Sequence, residues 1–204
     1  MPSHAYVYLA SQSPRRAQLL EQLGVVHRPL LADAAEDVEQ LEAERSGELP
    51  ADYVRRVTLA KLLQARRRLA RRGLPEAPIL CADTTVAVGR RILGKPGDAD
   101  EAAATLRRLS GRTHRVLTAV ALSAGRDTLL EMSVSRVHMA ELSESSIQRY
   151  VDSGEPYGKA GAYAVQGRIA AWIERIEGSY SGIMGLPLFE TARLLAQARV
   201  RLDV

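Results

Sequence analysis

The chain has 204 residues, 46% of them hydrophobic and 25% charged, enough apolar material for a sizeable core and the wrong balance for a disordered chain. No apolar run approaches a membrane span, Met1 to Ala10 lacks the features of a signal peptide, and a single cysteine, Cys81, excludes a disulfide framework or a cysteine-rich zinc site. The expected address is the cytoplasm, and a net charge of +4 carried mainly by arginine suits a polyanionic partner, whereas one Phe and one Trp disfavour a base-stacking nucleic-acid surface.

Tyr6 to Ala10 reads as a strand leading through Ser11-Gln12-Ser13-Pro14-Arg15-Arg16 into a helix patterned by Leu19, Leu20 and Leu23. Ser13 is placed as N-cap, Pro14 as the first helical residue and Gly24 as the stop. A strand, a tight loop and a helix start make an anion site, because the first helical amides lack partners and the dipole is positive there. Arg15 and Arg16 are unfavourable at that end unless an anion compensates them, which favours phosphate. From Ala32 to Glu48 the chain is acidic and poor in large apolar residues, a surface loop or mobile flap; Asp33, Glu36 and Asp37 near its start read mostly as solvated, with one of them a candidate for a divalent cation that accompanies a phosphate.

Pro50 opens a long helix with Val54, Val57, Thr58, Leu62, Ala65 and Leu69 on one stripe. Lys61 falls on that stripe and either snorkels to the edge or meets an anion in a cleft. Arg66, Arg67, Arg68, Arg71 and Arg72, at the helix C-terminal end, read as a solvated face that suits the dipole.

Ile79 to Val88 is an apolar, β-branched run expected to form a buried strand, with Asp83 set into it. An unpaired charge there is costly, so either the strand presents Asp83 to a cleft or it ends at Ala82 and Asp83 begins a turn. Val88 to Ile92 turns back and delivers Gly94-Lys95-Pro96, a hairpin that brings Lys95 towards Asp83. Asp98 and Glu101 start a helix in the manner of a capping box, closed by Gly111. Val116 to Leu122 and Leu129 to Met139 form an antiparallel pair, and Ser143 caps a helix ending at Gly154. The glycine-rich loop from Glu155 to Gly167 carries Gln166, an amide suited to a base edge; Ile169 to Ile176 reads as a strand, and a last helix follows Leu186-Pro187.

Hairpins mixed with helices predict an α/β fold with a mixed sheet, and no repeat or linker interrupts residues 1–204. Walker A, Rossmann and His-Glu-x-x-His signatures are absent. Gly178-Ser179-Tyr180-Ser181-Gly182 places a tyrosine where a nucleophile elbow needs its serine. The cations Arg15, Arg16, Lys61 and Lys95 with the carboxylate Asp83 suffice for phosphoanhydride hydrolysis.

Six motifs in order carry a resemblance across nearly the whole chain: Ser11-x-Ser13-Pro14-Arg15-Arg16, Ala82-Asp83-Thr84, Gly94-Lys95-Pro96, Ser110-Gly111-Arg112-x-His114, Lys159-Ala160-Gly161-Ala162-Tyr163-x-x-Gln166-Gly167 and Gly185-Leu186-Pro187-Leu188. Together they resemble the Maf family of nucleoside triphosphate pyrophosphatases, and the Lys159 to Gln166 pattern is similar to the branch acting on dTTP and UTP. The resemblance implies an elongated mixed sheet flanked by helices around a central cleft, in one domain that is either undivided or split into two lobes. It also implies a homodimer and a divalent metal, Mg2+ or Mn2+, with Asp83 and Glu36 as candidate ligands. By the same resemblance Asp83 is the proton acceptor, Arg15, Thr84 and Gln166 match positions of substrate choice, and Arg16, Lys61 and Lys95 match phosphate-binding positions. Gly158 departs from the pattern, standing where that branch usually has aspartate. Two alternatives stay open: the same chemistry on 7-methyl-GTP or other modified nucleotides, and a non-catalytic nucleotide- or nucleic-acid-binding regulator of cell division.

Overall fold

A computed structural model describes residues 4–33, 36–37 and 39–202. Strand β1 (Val7–Leu9) passes through helix α1 (Pro14–Gln22) to β2 (His27–Pro29), and α2 (Pro50–Arg71) leads to the hairpin of β3 (Ile79–Val88) and β4 (Arg91–Leu93). Helix α3 (Ala99–Leu109), the long pair β5 (Thr113–Ala124) and β6 (Asp127–Met139), α4 (Glu144–Asp152), β7 (Ile173–Glu177), α5 (Tyr180–Met184) and α6 (Leu188–Gln197) complete the order. Among the described residues the strands form one seven-stranded mixed sheet in the order β2-β1-β3-β5-β6-β7, with β4 beside β3. The sequence-derived α/β class with helices flanking a mixed sheet describes this architecture.

Strand β3 is apolar on both sides because both sides are covered. Cys81 packs with Leu62 and Ala65 of α2, while Ala82 packs with Leu19 and Leu20 of α1 and Leu194 and Leu195 of α6. Towards its far end, Val86 joins Leu106 and Leu109 of α3 and Ile147 and Tyr150 of α4 in a separate cluster.

The feature that positions the site is a fork in the sheet. Parallel pairing of β1 with β3 ends at Leu9↔Leu80, and antiparallel pairing with β4 begins only at Val86↔Leu93. Residues 81–85 therefore have no strand partner along that edge, although β5 pairs the other edge from Ile79 to Ala87. Asp83 thus lies inside a strand, at the point where the sheet opens.

Several expectations are corrected. Arg68 is only 4% exposed, so the arginine run of α2 is not solvated throughout, although Arg67, Arg71 and Arg72 are exposed. The Arg68 guanidinium donates to the Leu30 carbonyl at 2.7 Å and to Glu36, while Arg71 and Arg72 bind Asp33. The described part of the acidic stretch is consequently pinned along α2, with a short 3-10 turn at Glu39–Glu42. The strand expected from Ile169 begins later: Arg168–Trp172 is a 3-10 turn that buries Ile169, and pairing with β6 starts at Ile173. Helix α5 was not expected from the sequence. Ser179 caps it by accepting from the Gly182 amide at 2.9 Å, and Gly185, at φ +120°, ends it.

Candidate active site

The fork opens into a cavity of about 480 Å³, within the range of small-molecule sites. Its walls bring together Arg15, Arg16, Lys61, Asp83, Thr84, Lys95 and Gln166, which the sequence scatters over three-quarters of the chain. Alternation along β3 sends Asp83 and Thr84 to opposite sides of the strand, and two distinct electrostatic environments result.

On the α2 side, charges alternate. Asp83 Oδ1 accepts from Lys61 Nζ at 2.6 Å, and the same ammonium donates to Glu42 Oε1 at 2.7 Å. Glu42 Oε2 in turn accepts from Lys95 Nζ at 2.7 Å. The Asp83 and Lys61 side chains are 10% and 16% exposed, so the relay of two carboxylates and two lysines is largely desolvated at its Asp83 end and open to solvent at Lys95, which is half exposed. Burial alone would raise the Glu42 carboxyl, but Lys61 and Lys95 outweigh it and hold it below the usual carboxylate range. Lys61 therefore meets an anion in the cleft rather than snorkelling away from it.

On the Thr84 side there is an excess of positive charge. Arg16 donates from Nε to the Gly185 carbonyl at 2.8 Å, from Nη1 to Ser11 Oγ at 3.1 Å and from Nη2 to Thr84 Oγ1 at 3.4 Å. Thr84 Oγ1 lies 3.0 Å from Thr118 Oγ1, whose hydroxyl donates to the Gly182 carbonyl at 2.7 Å. Arg15 Nε reaches the Met184 carbonyl at 3.4 Å. The carbonyl end of α5 thus aims both guanidinium groups. Burial first, then the neighbouring Arg15, lowers the Arg16 pKa, with Asp83 opposing. An arginine does not give up its proton, so the shift measures an electrostatic cost that a bound anion would relieve. Lys159 adds to this excess: burial and Arg15 lower its pKa too, and its Nζ is held by the main-chain carbonyls of Glu155 and Tyr157.

The loop carrying Lys159 and Gln166 is closed at its base by Glu155. Its Oε1 accepts from the Arg168 amide and the Tyr150 hydroxyl, each at 3.0 Å. The carboxylate also occupies the space beside Gly167, where an added Cβ would lie 1.8 Å from Oε1. The Gly161 amide donates to the Gly94 carbonyl at 3.0 Å, tying this loop to the one bearing Lys95. Gly161 has φ +72°, and a Cβ there would meet Val86 at 2.8 Å. Buried His114 sits 2.7 Å from the Tyr163 hydroxyl beneath the loop. Gln166 is exposed within the cavity and, among the described residues, its amide has no hydrogen-bond partner.

Glu36 does not join them. It is absent from the cavity walls, and its oxygens accept from Arg68 at 2.6 and 2.9 Å and from Arg71 at 2.8 Å. The Arg68 bonds above all hold its carboxyl down at about 2. Among the described residues Glu42 is the carboxylate of the acidic stretch that reaches Asp83's surroundings, and the sequence reading missed it. Lys159 was visible only as part of a motif.

Residues 6–198 match the Maf family, described as Maf-like protein. The chain is 61% identical over 198 residues to a dTTP/UTP pyrophosphatase of Cupriavidus pinatubonensis (strain JMP 134 / LMG 1197), covering 97% of this chain and 99% of that one. It is 60% identical over 202 residues to a dTTP/UTP pyrophosphatase of a Polaromonas species, covering 99% and 100%. A protein of the same name from Albidiferax ferrireducens is 62% identical over 190 residues, 93% of this chain and 95% of the relative.

Proposed function

The chain belongs to the Maf family, and from that premise we propose that it hydrolyses dTTP and UTP at the bridge between the α and β phosphates, yielding the nucleoside monophosphate and pyrophosphate. The observation that carries this reading is the division of one cavity into a carboxylate-lysine relay around Asp83 and a cationic wall of Arg15, Arg16 and Lys159 that has no ion-pair partner among the described residues. The wall suits a polyphosphate, and the relay suits activation of water beside it.

Arg16, Lys61 and Lys95 bind phosphate oxygens, the two lysines turning from Glu42 to the substrate. Asp83 accepts the proton of the attacking water. The water oxygen bonds to the α-phosphorus, the bond from that phosphorus to the bridging oxygen breaks, and pyrophosphate leaves with the bonding electrons. Gln166 and Arg15 read the base: an amide presents one donor and one acceptor, complementary to the adjacent donor and acceptor on the edge of uracil or thymine.

A divalent cation fits this site through Asp83 and Glu42, which meet the same ammonium of Lys61. Mg2+ commonly takes one or two carboxylates and completes its shell with water and substrate phosphates, in keeping with the lack of any cluster of three acidic, histidine or cysteine ligands among the described residues. When bound, the ion would supply neutralisation of phosphate charge. A cytoplasmic address and a homodimer belong to the same reading; no helix among the described residues is long and apolar enough to cross a membrane.

Pyrophosphate release from dTTP, UTP, CTP, 7-methyl-GTP and the purine triphosphates, with and without Mg2+ or Mn2+, tests the activity and its selectivity. Asp83→Asn, nearly isosteric, should retain nucleotide affinity while kcat falls roughly 10²- to 10⁴-fold. Near-normal turnover in that variant would remove Asp83 from the proposed role.

A further inference from the structure

The nucleotide reading assigns groups to the phosphates and to the edge of the base but leaves the flat face of the base without a partner. Two aromatic side chains line the cavity, Tyr157 and Tyr163. Tyr163 is buried, with its hydroxyl committed to His114. Tyr157 is 40% exposed, and among the described residues its hydroxyl has no hydrogen-bond partner and its ring no aromatic or cationic partner.

Its backbone, by contrast, is held. Lys159 Nζ donates to the Tyr157 carbonyl at 3.3 Å and to the Glu155 carbonyl. The bond from the Arg168 amide to Glu155 closes the base of the loop. Tyr157 lies two residues beyond that closure on one limb and Gln166 two residues before it on the other, and both line one cavity. Gly158 separates Tyr157 from Lys159 without a side chain of its own, adopts φ +71°, and has no atom within 4 Å of the position a Cβ would take. The loop is therefore uncrowded at Gly158, beside Tyr157.

From this arrangement we propose that Tyr157 is a nucleobase-binding residue that stacks on the face of the base while Gln166 takes its edge. This rests on the nucleotide reading of the site. An aromatic ring presented on a fixed backbone loses little freedom on stacking, and base–aromatic stacking is tolerant of base identity because every base has a π face. Tyr157 accordingly strengthens binding of nucleotides as a class, and the amide opposite it supplies the choice among them.

The test uses two probes that are not cleaved: α,β-methylene dTTP, and pyrophosphate as the base-free anion, titrated calorimetrically into wild type, Tyr157→Ala and Tyr157→Phe. Tyr157→Ala should weaken the methylene analogue roughly 5- to 150-fold while pyrophosphate affinity stays within about twofold, and Tyr157→Phe should stay close to wild type on both. Unchanged affinity for the analogue in Tyr157→Ala, or an equal loss on both probes, would overturn the proposal. Base-selective loss in a protein that releases no pyrophosphate from any nucleotide would sustain Tyr157 and sink the hydrolytic reading instead.

Discussion

Acidification should weaken this protein through His114, and the effect can be worked out from its surroundings. The imidazole is 1% exposed, and Nε2 is 2.7 Å from the Tyr163 hydroxyl. Burial above all lowers its pKa from 6.5 to about 4. Between these values the unfolded chain holds a proton that the folded chain does not, so stability falls as pH drops from 6.5 towards 4 and is unaffected by this group above that range. At pH 4.5 the loss relative to pH 8 comes to about 2.5 kcal/mol, and it approaches about 3.4 kcal/mol below pH 4. The measurement is urea unfolding of wild type and His114→Gln at both pH values, because glutamine retains a hydrogen-bonding group for Tyr163 but cannot take up a proton there. Carboxylates elsewhere titrate equally in both proteins and cancel in the comparison. Wild type should lose about 2 to 3 kcal/mol more than the variant over this span; parallel losses would refute the assignment of a buried, neutral His114. Because Tyr163 adjoins Ala162 and Gly161 in the substrate loop, weaker nucleotide binding should accompany the loss.

Two further outcomes follow from the geometry. Glu42→Gln should raise the Mg2+ concentration needed for half-maximal activity about tenfold or more, whereas Glu36→Gln should leave it unchanged and lower stability instead, because it breaks the Arg68 pair; metal titrations of the two variants, with urea unfolding alongside, separate these roles. Gly161→Ala places a methyl against Val86 at a positive φ and should cost about 1–3 kcal/mol in strain alone, seen as a lower urea midpoint together with a raised KM, since the Gly161–Gly94 bond joins the two substrate loops.

Much of the site is legible in the sequence where a residue conflicts with its immediate neighbours. Asp83 stands out because a carboxylate in an apolar strand is costly in any fold, and Arg15 and Arg16 because two cations at a helix start oppose its dipole. Ser13, Pro14 and Gly24 punctuate α1 as local stereochemistry requires, although Ser13 occupies the N-cap position without a side-chain cap bond. The Asp98 cap forms as read, with Asp98 accepting from the Glu101 amide at 2.8 Å, but Glu101 reaches back to the Gly97 amide rather than to that of Asp98. Helix α5 has start and stop signals in Ser179 and Gly185, yet it spans only Tyr180–Met184, too short for a helical period to show.

The choice between Glu36 and Glu42 lies beyond local chemistry, since both sit in the same acidic stretch with nothing nearby to distinguish them. It is decided by antiparallel docking of that stretch along α2: Glu48 meets Arg56, Glu42 meets Lys61, Glu36 meets Arg68, and Asp33 meets Arg71 and Arg72. Each step back along the segment finds a partner a comparable step further along the helix, and the one carboxylate that falls opposite Lys61 is carried to the fork. The sequence by itself determined which groups could not rest in their local surroundings, because desolvation and helix dipoles act over a few ångströms of neighbouring chain. Which carboxylate joins Asp83, and which cations share its cavity, was decided only when segments far apart in the sequence packed together, because those distances do not exist in the unfolded chain.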